Sequence, residues 1–108
     1  EGSIFYQDTS GCWTGVLKNI RPDVALLAAA GRGNLDGEPI QGSLAQFVAR
    51  EADLLRPQRI ILNHHDNWMP PLTSEGGTDI TSIREELGRQ VPTAKLLEVG
   101  YSEGTRLF

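Results

Sequence analysis

Arg59-Ile60-Ile61-Leu62-Asn63-His64-His65-Asp66-Asn67-Trp68 is the stretch on which the reading of this chain turns. Three apolar residues run into two histidines and an aspartate, and both histidines of the chain are here. Pro57 precedes the run and Pro70-Pro71 follow it. A short apolar run bounded in this way predicts a buried strand. Such a strand delivers the polar residues that follow it to the carboxyl edge of a sheet, where open α/β sheets place their ligand sites. Imidazole and carboxylate together are also the donors that zinc, manganese or iron accept. The alternative is that His64 and His65 are loop residues bonded to backbone or water.

Working outward, alternation of strand and helix signals predicts an α/β layer architecture. Ser3-Ile4-Phe5-Tyr6-Gln7 predicts a first strand, closed by Asp8-Thr9-Ser10-Gly11, whose residues favour turns and helix caps. Asp8 is either a carboxylate held at a strand end or a turn aspartate. Trp13, Val16, Leu17 and Ile20 follow at helical spacing, and Arg21-Pro22 stops that helix. Cys12 has no basic residue within five positions to lower its pKa, so it is expected to be a buried filler rather than a nucleophile. Val24 to Ala30 is apolar throughout, as suits a strand covered on both faces. The Gly31-to-Pro39 loop lacks the spacing of a nucleotide-binding turn, since Asp36 stands where a third glycine is needed. Arg32 in that loop is a candidate contact for an anionic substrate group.

Ser43 to Leu55 predicts the clearest helix, with Leu44, Phe47, Val48, Ala52 and Leu55 on one stripe and Ser43 as its cap. A Gly/Ser/Thr loop at 73–78 is the expected mobile segment. A further helix spans Thr81 to Leu87, with Gly88 or Pro92 as its stop. Lys95 to Val99 predicts a strand, and Thr105 to Phe108 could pair back as a hairpin.

Composition narrows the function. At 108 residues the chain predicts one α/β domain, 1–108. The net charge of −4 with scattered basic residues argues against nucleic acid or acidic lipid as partner. No apolar run approaches the length of a membrane span, and a lone cysteine excludes an intrachain disulfide. A cytoplasmic location is the default. The chain starts Glu-Gly-Ser rather than Met, so its start is expected to be processed, engineered or cut from something longer.

Tyr6-Gln7-Asp8-Thr9, then Arg21-Pro22-Asp23-Val24-Ala25-Leu26-Leu27, then Arg56 through Trp68 resemble, in order and spacing, the carboxyl-terminal half of metallo-β-lactamase-fold hydrolases, most nearly their lactonase-like branch. The resemblance implies half of an αββα sandwich: a mixed sheet with helices on one face. It implies Asp8 as a ligand bridging two metal ions and His64 as a terminal ligand. His65 stands where that family has an aromatic residue, so it is expected to face substrate or support a ligand. Asp66 could orient a ligand histidine, and Arg32, His65 and Trp68 are the candidate substrate contacts. The activity implied is hydrolysis of an ester, lactone, amide or phosphoester of a small-molecule substrate by metal-bound hydroxide, with zinc expected first and manganese or iron as alternatives.

The chain departs from the family in two ways. Gln7 replaces the usual glycine before the aspartate. The H-x-H-x-D-H signature and the half that carries it are absent. One copy therefore cannot complete a dinuclear site. The expected partner is a separate amino-terminal half or further copies of this chain, because the sheet face that a second half would cover is left open. Two other readings stay open. One is a non-catalytic oligomerising binding or scaffold domain that holds no metal. The other is a small doubly wound domain using Gly31 to Gly37 for an anion.

Overall fold

The computed structural model describes residues 2–31, 33–63, 80–98, 104 and 106–108. Its principal sheet has four strands: β1 (Ile4–Tyr6), β3 (Val24–Ala28), β6 (Arg59–Asn63) and β7 (Lys95–Leu97), in that spatial order. Every neighbouring pair is parallel. The sheet expected to be mixed is thus parallel throughout its described strands. Each connection must return to the starting edge, which a crossover does and a hairpin cannot. A small second sheet holds the mixed pairing. There β2 (Gly11–Cys12) runs parallel to β4 (Asn34–Leu35), which pairs antiparallel with β5 (Glu38–Pro39).

Each crossover in the principal sheet moves one strand further in the same direction. Crossovers of one hand that advance in one direction leave their helices on one face. The helices α1 (Thr14–Leu17), α2 (Leu44–Leu55) and α3 (Ile80–Gln90) accordingly form one layer, α2 packing on both others. Phe5, Ala25, Ile60 and Leu96 lie in register across the sheet and face this layer. Phe47, Val48, Ala52 and Leu55 of α2, with Ile83 and Leu87 of α3, close the core over them.

α2 starts where the sequence says it should. Ser43 accepts a hydrogen bond from the Gln46 amide at 3.1 Å, and Gln46 Oε1 accepts one from the Ser43 amide at 2.9 Å. This reciprocal pair satisfies two amides that a helix start leaves free. The helix ends at Arg56, in the left-handed region at φ 51°, just before Pro57. α3 runs through Gly88 and stops two residues short of Pro92, so proline, not glycine, terminates it. The helix expected from Trp13 to Ile20 shrinks to one turn. Trp13 and Val16 are 61% and 59% exposed, and only Leu17 of that stripe is buried. Residues 106–108 form no strand.

Within the glycine-rich loop, Asn34 to Pro39 form a hairpin. Asp36 and Gly37 both have positive φ, 54° and 89°, as a two-residue turn between twisted strands requires. A Cβ on Gly33 would lie 2.3 Å from the Phe47 ring, so this glycine admits α2's largest core residue. Turn geometry and close packing account for these two glycines.

Candidate functional site

The carboxyl edge of the principal sheet is tied together by Gln7. It follows β1 and is nearly buried, unlike the exposed Asp8 beside it. Its Nε2 donates to the Gly11 carbonyl at 2.7 Å and also to the carboxylate oxygen Oε1 of Glu51 on α2. Oε1 of Gln7 accepts from the Ala28 amide at 3.4 Å, and its backbone amide donates to Leu26 O at 3.0 Å. Its backbone carbonyl accepts from Asn63 Nδ2 at 3.0 Å.

That last bond spans β3, because β1 and β6 are not neighbours. Asn63 is also held by its own carbonyl, which accepts from the Ala29 amide at 2.9 Å. Oδ1 of Asn63 is buried and has no hydrogen-bond partner among the described residues. The ends of β1, β3 and β6 therefore meet at one place. Asp8 and His64 each follow one of the two bonded residues in sequence.

At Asp8 the carboxylate Oδ1 accepts a hydrogen bond from the Tyr6 hydroxyl at 3.0 Å. That bond and the nearby negative charge raise the Tyr6 pKa, since both favour the neutral phenol. His64, His65, Asp66, Trp68 and Arg32 lie outside the described residues, as does the 73–78 loop. Among the described residues no group of three His, Cys, Asp or Glu side chains is placed to hold a metal ion. Asp8 is thus one oxygen donor, and a catalytic zinc needs three protein ligands.

Behind this edge lies a feature that sequence reading missed. Glu51 is completely buried on the apolar stripe of α2. Burial pushes its carboxyl up to about 7, while hydrogen bonds from Gln7 and the Cys12 thiol pull in the opposite direction. Its Oε2 has no hydrogen-bond partner among the described residues. Cys12 is itself pushed up to about 12, first by burial and then by the Glu51 and Asp36 charges. It is a poor nucleophile, as expected. The available signal for Glu51 was its position. It stands four residues after Phe47 and four before Leu55, a charged residue in the middle of an apolar face.

The chain matches no protein-family model, no curated protein and no solved structure.

Proposed function

We propose that this chain is one half of a metal-dependent hydrolase of the metallo-β-lactamase type, contributing Asp8 and His64 as its share of the metal ligands. The observation that carries the reading is the Asn63-to-Gln7 hydrogen bond. It joins the two strand ends immediately before those residues, at the edge where parallel α/β sheets bind ligands. Asp8 fits a ligand's role in being exposed and oriented by Tyr6. The set is partial, so the remaining donors come from a second half. Arg32, His65 and Trp68 are assigned to substrate contact and Asp66 to orienting a ligand.

When bound, a divalent ion, with zinc first, would lower the pKa of water and polarise an ester, lactone, amide or phosphoester oxygen. The chain's own residues do the positioning. Gln7 fixes the strand end, Tyr6 holds one Asp8 oxygen, and Asn63 spaces the β6 end from the β1 end.

The second half is assigned to the sheet face opposite the helices. Ile4 and Tyr6 on that face are 50% and 61% exposed. Tyr6 continues in register through Leu26, Ile61 and Leu97, an apolar row, while Ile4 continues through Val24 to Arg59 and Lys95. This apolar row also favours a second reading, an oligomerising domain without catalysis.

Metal analysis on protein purified without chelator, coupled to size exclusion with light scattering, separates the two. The hydrolase reading expects about one or more zinc, manganese or iron ions per chain, lost on Asp8→Ala and on His64→Ala. A well-folded, metal-free oligomer would overturn it and leave the scaffold reading.

A further inference from the structure

β1 lies at one edge of the principal sheet, and its backbone bonds β3 on one side only. In a parallel ladder alternate residues of a strand turn their amide and carbonyl toward the neighbour. Ser3 O accepts from the Val24 amide at 3.1 Å, and the Gln7 amide donates to Leu26 O at 3.0 Å. The backbones of Ser3, Phe5 and Gln7 therefore face β3. Ile4 and Tyr6 turn their amides and carbonyls the other way, out of the sheet edge. Outside the ladder, no backbone hydrogen bond among the described residues reaches either of them. Their side chains are exposed as well, on the face opposite the helices. Sheet proteins guard such edges with charges, prolines or bulges. Gly2-Ser3-Ile4-Phe5-Tyr6-Gln7 has no charge and no proline. The opposite edge differs. The Lys95 amide donates to Gln58 O at 2.9 Å, so the backbones of Lys95 and Leu97 face β6. Of β7 only Leu96 faces outward, and the charges of Lys95 and Glu98 flank the strand.

We propose that β1 is a self-pairing edge, which docks antiparallel on β1 of a second copy of this chain about a two-fold axis at Phe5. An antiparallel pair alternates residues that exchange both backbone bonds with residues that exchange none. With Phe5 opposite the partner's Phe5, Ile4 stands opposite the partner's Tyr6, and Tyr6 opposite the partner's Ile4. These are the residues with outward amides and carbonyls. Both pairs fall at bonded positions, and Phe5 falls at the non-bonded position between them. A slip of one residue would set outward groups against groups already bonded to β3. The side chains obey the same register. Ile4 and the partner's Tyr6 lie side by side on the open face, an aliphatic and aromatic pair that favours strand pairing. Ser3 meets the partner's Gln7 and Gly2 meets the partner's Asp8, so no like charges oppose one another. A second copy is the occupant that this edge fits, because each outward group finds its complement in the same strand. The pairing deepens the oligomerising reading above and rests on it, not on the metal. It also needs nothing from the centre of the open face, where Val24 and Ile61 are buried.

Amide hydrogen exchange of the full chain reads the pairing residue by residue. In samples diluted until light scattering shows single chains, the Ile4 and Tyr6 amides should exchange as exposed amides, while β3 already protects those of Phe5 and Gln7. In samples concentrated until pairs form, exchange at Ile4 and Tyr6 should slow by at least about tenfold. A mixture of carbon-13-labelled and unlabelled chains should then show a cross-peak between the Phe5 α-protons of the two copies, since the strands approach most closely at a non-bonded pair. Ile4→Pro removes one outward amide at the first residue of an edge strand, where proline is tolerated. It should return the chain to single copies. A parent chain that stays single at about 1 mM overturns the pairing and the oligomerising reading together. An oligomer in which Ile4 and Tyr6 still exchange as exposed amides, or one that survives Ile4→Pro, overturns the edge pairing alone. If Ile4→Pro does not fold, the exchange rates and the cross-peak of the parent chain decide.

Discussion

Among single residues, Glu51 ties stability to pH. Its pKa rises from the ordinary 4.5 to about 7 on folding. Below 4.5 the acid is neutral in both states. Between 4.5 and 7 the unfolded chain releases a proton that the folded chain keeps. Stability falls over that window and levels off above it. The total is about 3 kcal/mol. Urea midpoints measured from pH 4 to 8 should show this slope, and Glu51→Gln should remove it. If the two proteins keep parallel profiles, Glu51 is not the group responsible. Cys12 offers a second check. With its pKa near 12, the thiolate is so scarce at pH 8 that iodoacetamide should label the folded chain at least about 100-fold more slowly than a free thiol. Labelling at the free-thiol rate would contradict the burial. This part of the site was only half legible in the sequence. Asp8 stood out because it follows a strand signal. Gln7 stood out because it replaces glycine. Glu51 was hidden because helical periodicity scores a stripe by its apolar members, and one acid among five does not break the pattern.

At the scale of elements, sequence and structure agree where one local rule dominates. α2 combines a cap, a stripe and a proline stop, and its boundaries follow within a residue. Ser43→Ala removes one half of the reciprocal cap and should cost about 1 kcal/mol, read as a lower melting temperature. β3 was legible as an unbroken apolar run after Pro22, and β6 as one bounded by prolines. β2, β4 and β5 were not, because two residues carry no period and their pairing is set by partners distant in sequence. The α1 stripe misled for a related reason. Trp13 lies against the Gly37 turn and not in the core, so its spacing to Val16 and Leu17 was fortuitous. Gly88 completes the picture for α3. It lies inside the helix, exposed, with open space where a Cβ would go. Gly88→Ala should therefore stabilise the chain by about 0.5–1 kcal/mol, since glycine gives up more backbone freedom on joining a helix. A lower melting temperature for this variant would mean that the position faces a partner in the folded state.

For the whole molecule, topology decides what is left uncovered. Three crossovers advancing in one direction put the described helices on one side. Two-layer domains bury the other side of such a sheet only by adding a further layer. Among the described residues that side carries Ile4, Tyr6, Leu26 and Leu97 beside Arg59 and Lys95; Val24 and Ile61 on it are buried, and the edge strand β1 is the open part. Exposed apolar surface favours association, and a two-fold pairing of identical faces is the simplest closure. The chain at 11.8 kDa should therefore elute with the mass of at least two copies when no other half is supplied. Ile4→Lys tests the face with little risk to the fold, because Ile4 is already half exposed on an edge strand. A charged group there must be desolvated in any packed interface, at a cost of several kcal/mol, which is enough to shift a micromolar dimer to single chains. The expected result is loss of the oligomer with an unchanged far-ultraviolet spectrum. A parent chain that stays a monomer at high micromolar concentration would show that copies of this chain do not cover the face. An oligomer that survives Ile4→Lys would place the contact elsewhere, and the exposed Trp13 and Val16 would be the next positions to charge.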